Sequence, residues 1–481
     1  MLSVEHYGEP LSAEQKRSMR VYTLLIVGVC VVLAFGVLSF GAVQEWSIFV
    51  LRSASIFLFF MWALVQLAGG ELKITRTPLY APALAFAGLI LLQMFSGLSA
   101  YRHDTLVEFL NYACYGLLAF VAVQSLRNSD AAKLLATCIS TFGLLISVFA
   151  LVQYFASNGN IYWVVPVSQG TAVFGPYVNH NHYAGLMELM VPFPLVFALQ
   201  DTVSFPKRIF FGLSAVVMGV SLFYCRSRGG IIAFLCQIVL LAFLVRFRKM
   251  KRGAVAAMLV LIMAMAILLA VLGASEAIAR INTLREPGRA DVAGWRMRVN
   301  RDSLGMVREK PLLGWGLGTF TTVYPKFRSF YDDVTVNTAH NDYMQLLVET
   351  GVVGAVITLW FLVVVFREGW RNLQKPQSPW SKGITLAALV AVSGILIHSA
   401  SDFNLHVPAN AAIFFVMCTL AAVPMLETGN RESPRRSSAI ESATGDEEVE
   451  VLPQKKQPVP HPFRVMGRRC SSVWSHNKLK F

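Results

Sequence analysis

About twelve apolar runs divide this chain, near residues 21–43, 47–69, 79–98, 105–125, 133–155, 182–200, 209–224, 229–247, 254–273, 343–366, 383–399 and 410–426. The hydrocarbon core of a bilayer is about 30 Å thick and takes roughly 20 apolar helical residues to cross, so most of these runs have the length of a crossing. In hydrocarbon every backbone N–H and C=O has to be satisfied within the protein, which leaves helices or a closed barrel. The runs show no two-residue alternation, so helices are expected. Of the 481 residues, 55% are hydrophobic and only 15% charged. The expected fold is therefore an all-α integral membrane protein with about 12 transmembrane helices, and an ordinary soluble core is excluded. The first run follows about 20 polar residues and is too long for a signal-peptide core, so it is expected to stay as an anchor.

A net charge of +14 could suggest a nucleic-acid partner, but the cations sit in short clusters between the runs. Lys16, Arg17 and Arg20; Lys73 and Arg76; Arg127 and Lys133; Lys207 and Arg208; Arg246 to Arg252; and Arg367, Arg371 and Lys375 all fall on the side of the two termini. Cations mark the cytoplasmic face, so both termini are expected there and no nucleic-acid partner is expected. The cysteines lie mainly inside the runs without paired ligand spacing, which indicates neither a disulfide framework nor a metal centre.

The domain expectation follows. Residues 1–20 form a cytoplasmic N-terminus, 21–273 carry helices 1 to 9, and 274–342 form one large periplasmic loop between spans 9 and 10. Residues 343–426 carry helices 10 to 12, and 427–481 form a disordered cytoplasmic tail. The loop is rich in arginine and lysine, which should attract anionic headgroups or phosphate. Within it, Asp291 to Glu309 reads as an amphipathic helix ended by Pro311. Gly314, Gly316 and Gly318 then break the chain into a flexible turn that lacks the context of a nucleotide-binding loop, and the glycines are expected to permit tight packing. Segment 156–181, aromatic and too polar to span, is expected to be partly re-entrant.

The polar exceptions to the apolar pattern emerge on one face. They are Asn179 to His182, Arg226 and Arg228, Arg296, His340, and Asp402, Asn404 and His406. Guanidinium groups can bind a diphosphate through two parallel hydrogen bonds, and a neutral imidazole can take a proton from a hydroxyl. Together these describe glycosyl transfer from a lipid diphosphate, with arginines rather than a metal ion stabilising the leaving group. Asp332-Asp333 is adjacent rather than spaced and reads as loop surface, so no metal and no cofactor are expected.

The stretch GPYVNHNHYAG (175–185), Ser227-Arg228-Gly229, Arg296 ahead of Pro311-Leu312-Leu313-Gly314-Trp315-Gly316, and His340-Asn341-Asp342-Tyr343 with Glu349-x-Gly351-x-x-Gly354 resemble the O-antigen ligase and O-antigen polymerase superfamily. The resemblance covers roughly residues 20–426 and implies a GT-C-like glycosyltransferase with a large periplasmic loop. It implies an undecaprenyl-diphosphate-linked glycan donor and, as acceptor, lipid A-core or another glycan, with membrane lipids around it. Carried over by position, His340 is the catalytic histidine and Arg228 and Arg296 contact the diphosphate, with Arg226 an additional cation for it; which of Arg226 and Arg228 points inward is open. Asn179, Asn181, His182 and Asn341 are further candidate substrate contacts, and no catalytic role is assigned to residues 402–408. Within this class the sequence leaves a ligase, a polymerase and a protein O-glycosylating enzyme open. A transporter is the alternative of a different class, disfavoured because the spans lack a midplane charge array and the two halves are asymmetric.

Overall fold

A computed structural model describes residues 13–70, 72–126, 129–167, 173–247, 252–271, 290–331, 335–375 and 377–424. The extreme N-terminus, Asp332-Asp333, the first part of the 274–342 loop and the 427–481 tail lie outside the described residues. Everything described is helix, turn or irregular backbone. The only β-type pairings among the described residues are the isolated bridges Ile161–Val165 and Phe174–Tyr177.

In chain order the helices are α1 (Ala13–Leu38), α2 (Glu45–Ala68), α3 (Tyr80–Phe95), α4 (Arg102–Ser125), α5 (Ser129–Phe155), α6 (His180–Met190), α7 (Pro192–Ala198), α8 (Phe205–Tyr224), α9 (Arg228–Phe247) and α10 (Arg252–Val271). They continue with α11 (Ala290–Glu309), the short α12 (Phe320–Val323), α13 (Asp342–Gln374), α14 (Pro379–His398) and α15 (Pro408–Ala422). Among the described residues, eight helices are long and apolar enough to cross a membrane, and α3, α15 and Ala256–Val271 of α10 are apolar but shorter. The chain is an all-α polytopic membrane protein. The expected amphipathic helix at 291–309 is present as α11.

The run expected as one span at 182–200 is two helices. Pro192 and Pro194 follow Val191, and proline supplies no N–H to the preceding turn while its ring crowds it, so α6 ends and α7 restarts. Both helices are buried almost throughout, enclosed by protein rather than by lipid. They pack beside α14, a buried helix that touches α5, α6, α7, α9, α13 and α15. Small residues allow this approach: a Cβ at Gly394 of α14 would lie 2.0 Å from the Gln237 amide of α9. That amide donates to the carbonyls of Glu188 in α6 and Val390 in α14, tying three helices with one side chain.

The second departure is in α13. Gly351 interrupts this helix with φ 63° and ψ −168°, a conformation almost confined to glycine. The backbone groups freed by the break are taken up by residues 311–316. Trp315 and Gly316 donate their N–H groups to the carbonyls of Val348 and Glu349, while Val352 and Val353 donate to those of Pro311 and Leu312. The Glu349 carboxylate accepts from the Gly318 N–H at 2.8 Å and the Gln345 amide at 3.1 Å. Gln93 of α3 donates to both Leu313 and Glu349 carbonyls. The turn predicted to be flexible is thus fastened on every side, because a broken membrane helix needs partners for its orphaned groups. Glycine is required on both faces of this joint: a Cβ at Gly314 would lie 2.4 Å from the Glu349 carbonyl carbon, and one at Gly351 2.3 Å from the Leu312 oxygen.

Candidate functional site

The site is built on the turn between α14 and α15, residues 399–407, which the sequence reading left without a role. His398 ends α14, and its carbonyl accepts from the backbone of Ser401 (2.9 Å) and Asp402 (3.2 Å), folding the chain back. That turn puts the Asp402 side chain, 1% exposed, at a meeting point of three elements. From α11, Arg296 donates through Nη1 to the Ser401 carbonyl (2.6 Å) and through Nη2 to Asp402 Oδ2 (3.3 Å). From α6, the Asn181 amide donates to the same Oδ2 at 2.5 Å. From the loop before α13, His340 Nδ1 lies 3.9 Å from Asp402 Oδ1. Burial alone would raise the Asp402 pKa, but the neighbouring imidazoles and the Arg296 guanidinium outweigh it and hold the carboxyl well below the usual range. It is a carboxylate at neutral pH.

His340 stands edge-on between two aromatic rings, Trp295 at 5.3 Å and Phe403 at 4.9 Å between centroids. Its backbone is left-handed (φ 50°), and its neighbours enforce this. Asn300 of α11 holds the Ala339 carbonyl, and Gln345 accepts the Ala339 N–H. Asn341 caps α13 by accepting the N–H groups of Tyr343 and Met344. Asp342 completes the clamp: its N–H donates to the Ser399 carbonyl, and its carboxylate takes the Leu405 N–H (3.2 Å) and His406 Nδ1 (2.7 Å). Burial would lower the His406 pKa, but the Asp342 partner pushes it up to about 9.

Arg228 opens α9, where Ser227 caps the helix by accepting the Gly230 N–H. The glycines after it bring the helix end against the turn. A Cβ at Gly229 would lie 2.6 Å from Ser401 Oγ and 2.8 Å from His398 Nε2, and one at Gly230 2.5 Å from Ala184 of α6. The N-terminus of α9 and the Arg296 fork therefore reach the same residue, Ser401. Arg228 is half-buried and has no hydrogen bond or ion pair among the described residues. Arg226 is committed elsewhere. Its guanidinium donates to the Tyr154 hydroxyl of α5 at 2.7 Å, and its own backbone is left-handed (φ 62°).

The remaining candidates divide. His182 is buried, with its ring 4.7 Å from Phe403, the same ring that meets His340. The Asn179 oxygen caps α6 by accepting the Asn181 N–H, and Asn341 is used as a cap, so these two side chains shape the backbone around the site. Sequence reasoning missed Asp402 as the hub, and also the buried pair Glu188–His398 beneath it (2.8 Å). An acid inside the apolar run at 182–200 was the visible signal for Glu188. Among the described residues no three His, Cys, Asp or Glu side chains converge to hold a metal ion.

Residues 213–359 match the family model for O-antigen ligase. That stretch is similar to the O-antigen ligase family. The matched stretch runs from within α8 to within α13 and includes Arg226, Arg228, Arg296, His340 and the Gly314–Gly351 joint. It stops short of Asn181 on one side and Asp402 on the other, although Asp402 accepts from Arg296 inside it and Asn181 donates to Asp402. No curated protein matches the chain.

Proposed function

We propose that this protein is a periplasmic-face glycosyltransferase of the inner membrane that moves a glycan from undecaprenyl diphosphate to an acceptor hydroxyl on lipid A-core. The family supports a membrane glycosyltransferase of the ligase and polymerase type. The observation that carries the finer reading is the approach of Arg296, His340 and the α9 N-terminus to Ser401 and Asp402.

The chemistry follows from what each group has left to offer. Asp402 faces His340 Nδ1, so it favours the tautomer with the proton there and leaves Nε2 as the basic nitrogen. Nε2 takes the proton of the acceptor hydroxyl as that oxygen bonds to the anomeric carbon. The bond from that carbon to the diphosphate oxygen breaks, and its electron pair stays on the diphosphate. Arg228, the free N–H groups opening α9, and the outward N–H groups of Arg296 stabilise the charge that grows there. One displacement on the face opposite the leaving group inverts the anomeric centre, and no metal ion is required.

Reconstituted protein with labelled lipid-linked glycan tests this. His340→Ala should bind donor normally and lose turnover, whereas Arg228→Gln should lose about 10²–10³ in rate. Arg226→Gln should lose far less. Normal transfer by His340→Ala would end the assignment, and loss of activity in EDTA with recovery on adding manganese would end metal independence. In cells, a deletion strain lacking long-chain lipopolysaccharide but retaining lipid-linked polymer supports the ligase reading; accumulation of single repeats replaces it with a polymerase.

A further inference from the structure

The joint between residues 311–316 and α13 fixes how deep this part of the chain lies. Below Gly351, the residues Val352 to Phe366 carry no charge, and Arg367 is the first cation. At about 1.5 Å per residue they extend for roughly 22 Å, less than the roughly 30 Å of hydrocarbon a crossing has to cover. Any tilt shortens their reach further. With Arg367 at one interface, the other interface therefore lies on the His340 side of Val352. Leu312, whose carbonyl accepts the Val353 N–H, is level with the hydrocarbon, and its side chain is 66% exposed.

The helix that leads down to Leu312 is α11, and its outward face is unusual for a surface in water. At about 100° per residue, Met297, Arg301, Leu304 and Arg308 fall within roughly 60° of one another. Met297 is 72% exposed and Leu304 42%, and both arginines are exposed. Among the described residues neither arginine has a hydrogen bond or ion pair, although α11 elsewhere pairs Glu309 with Lys326 at 2.6 Å. Arg308 lies about one helical turn from Leu312, which puts it in the headgroup layer. Alternating apolar and cationic side chains on one stripe is the pattern of a helix lying in a bilayer interface, where apolar groups enter the acyl boundary and guanidinium groups reach phosphates.

We propose that the Met297–Arg301–Leu304–Arg308 stripe of α11 docks on anionic phospholipid headgroups of the adjacent leaflet. The occupant is the lipid surface rather than a protein, because the stripe continues into a segment already held at hydrocarbon depth and its only charges are unpaired cations. The docking sets the height of Arg296 and His340, at the other edge of the same helix and the loop it binds, above the bilayer. This inference rests on the membrane fold and not on the catalytic reading, so the two can fail separately.

A benzophenone side chain at position 304 of the full-length protein, in phosphatidylcholine vesicles containing phosphatidylglycerol, reads the contact directly. Irradiation should give phospholipid adducts, with a phosphatidylglycerol-to-phosphatidylcholine ratio above that of the vesicle. Each guanidinium near a charged surface is worth about a fivefold preference, so Arg301→Gln with Arg308→Gln should lower the ratio roughly 25-fold at low salt. Arg301→Lys with Arg308→Lys should keep most of it and controls for folding. Absence of lipid adducts, adducts only to a second protein chain, or a ratio equal to the vesicle's and unmoved by the glutamine pair would overturn the proposal.

Discussion

Replacing Gly351 by alanine tests whether the 311–316 segment and the membrane helix are one mechanical unit. The alanine would have to adopt φ 63°, ψ −168°, a region that costs a residue with a Cβ about 1–3 kcal/mol. Its Cβ would also sit 2.3 Å from the Leu312 oxygen and 2.4 Å from the Leu312 carbonyl carbon, both backbone atoms that no side-chain rotation can move. Relief requires residues 311–313 to withdraw, which threatens the four backbone bonds that join 311–316 to 348–353. Each buried group left unpaired costs about 1–3 kcal/mol, so the total is on the order of 5 kcal/mol or more, comparable to the margin that holds many folded domains together. The thermal midpoint in detergent should fall by roughly 10 °C or more. Gly88→Ala in α3 and Gly116→Ala in α4 are the controls, since nothing lies within 4 Å of a Cβ at either position. They should leave the midpoint unchanged or raise it slightly. A Gly351→Ala protein that melts with its parent would show that residues 311–316 do not complete the broken helix.

Three further outcomes are expected. Asp402→Asn keeps the shape of the hub but removes the charge shared by Arg296, Asn181 and His340; at about 1.5–3 kcal/mol for hydrogen bonds to a charged group, kcat should fall roughly 10- to 100-fold, and an unchanged kcat would remove Asp402 from the site. His406 has a folded pKa raised from 6.5 to about 9, so its pair with Asp342 contributes fully below pH 6.5 and is lost as pH rises through 9. The contribution is about 2–3 kcal/mol at most. Thermal stability should therefore decline from pH 6.5 to 9.5 in the parent and be flatter over that window in His406→Gln; parallel profiles would refute the pairing. Asn341→Ala removes the cap of α13 at about 1 kcal/mol, and because that cap also fixes the turn at His340, kcat should fall while donor binding holds, as measured by a turnover and filter-binding comparison.

What could be read in the sequence, and what could not, separates along a physical line. The helices were legible because hydrocarbon forces each apolar run to satisfy its own backbone. Arg228 stood out because cations are otherwise scarce on that face, and Arg296 and His340 because they fall in motifs of fixed order. The breaks in α6–α7 and α13 were not legible as breaks. An apolar window of about 19 residues averages over Pro192 and Gly351, and the partners that make each break tolerable lie elsewhere in the chain. Asp402 was hidden for the same reason. It is 106 residues from Arg296 and 221 from Asn181, so nothing in its own neighbourhood announces what it holds.

The hub also explains why His340 can sit in a left-handed conformation that a residue with a Cβ rarely adopts. Such strain of about 1–3 kcal/mol persists only where the surroundings over-determine it. Here the residue before it is held by Asn300 and Gln345, the residue after it is a helix cap, and the next is clamped to both ends of the 399–405 turn. Trp295 and Phe403 then leave the imidazole one slot. These contacts tie α11 and α13 to the His340 loop and to the 399–405 turn that follows α14, so none of the three helices can shift without moving the ring. In the proposed reaction donor and acceptor are both carried on lipids, and a base at His340 gains from such fixing, since neither substrate can tumble to find it. Rigid placement of the base, with the lipids diffusing in two dimensions to reach it, is the arrangement this set of contacts favours.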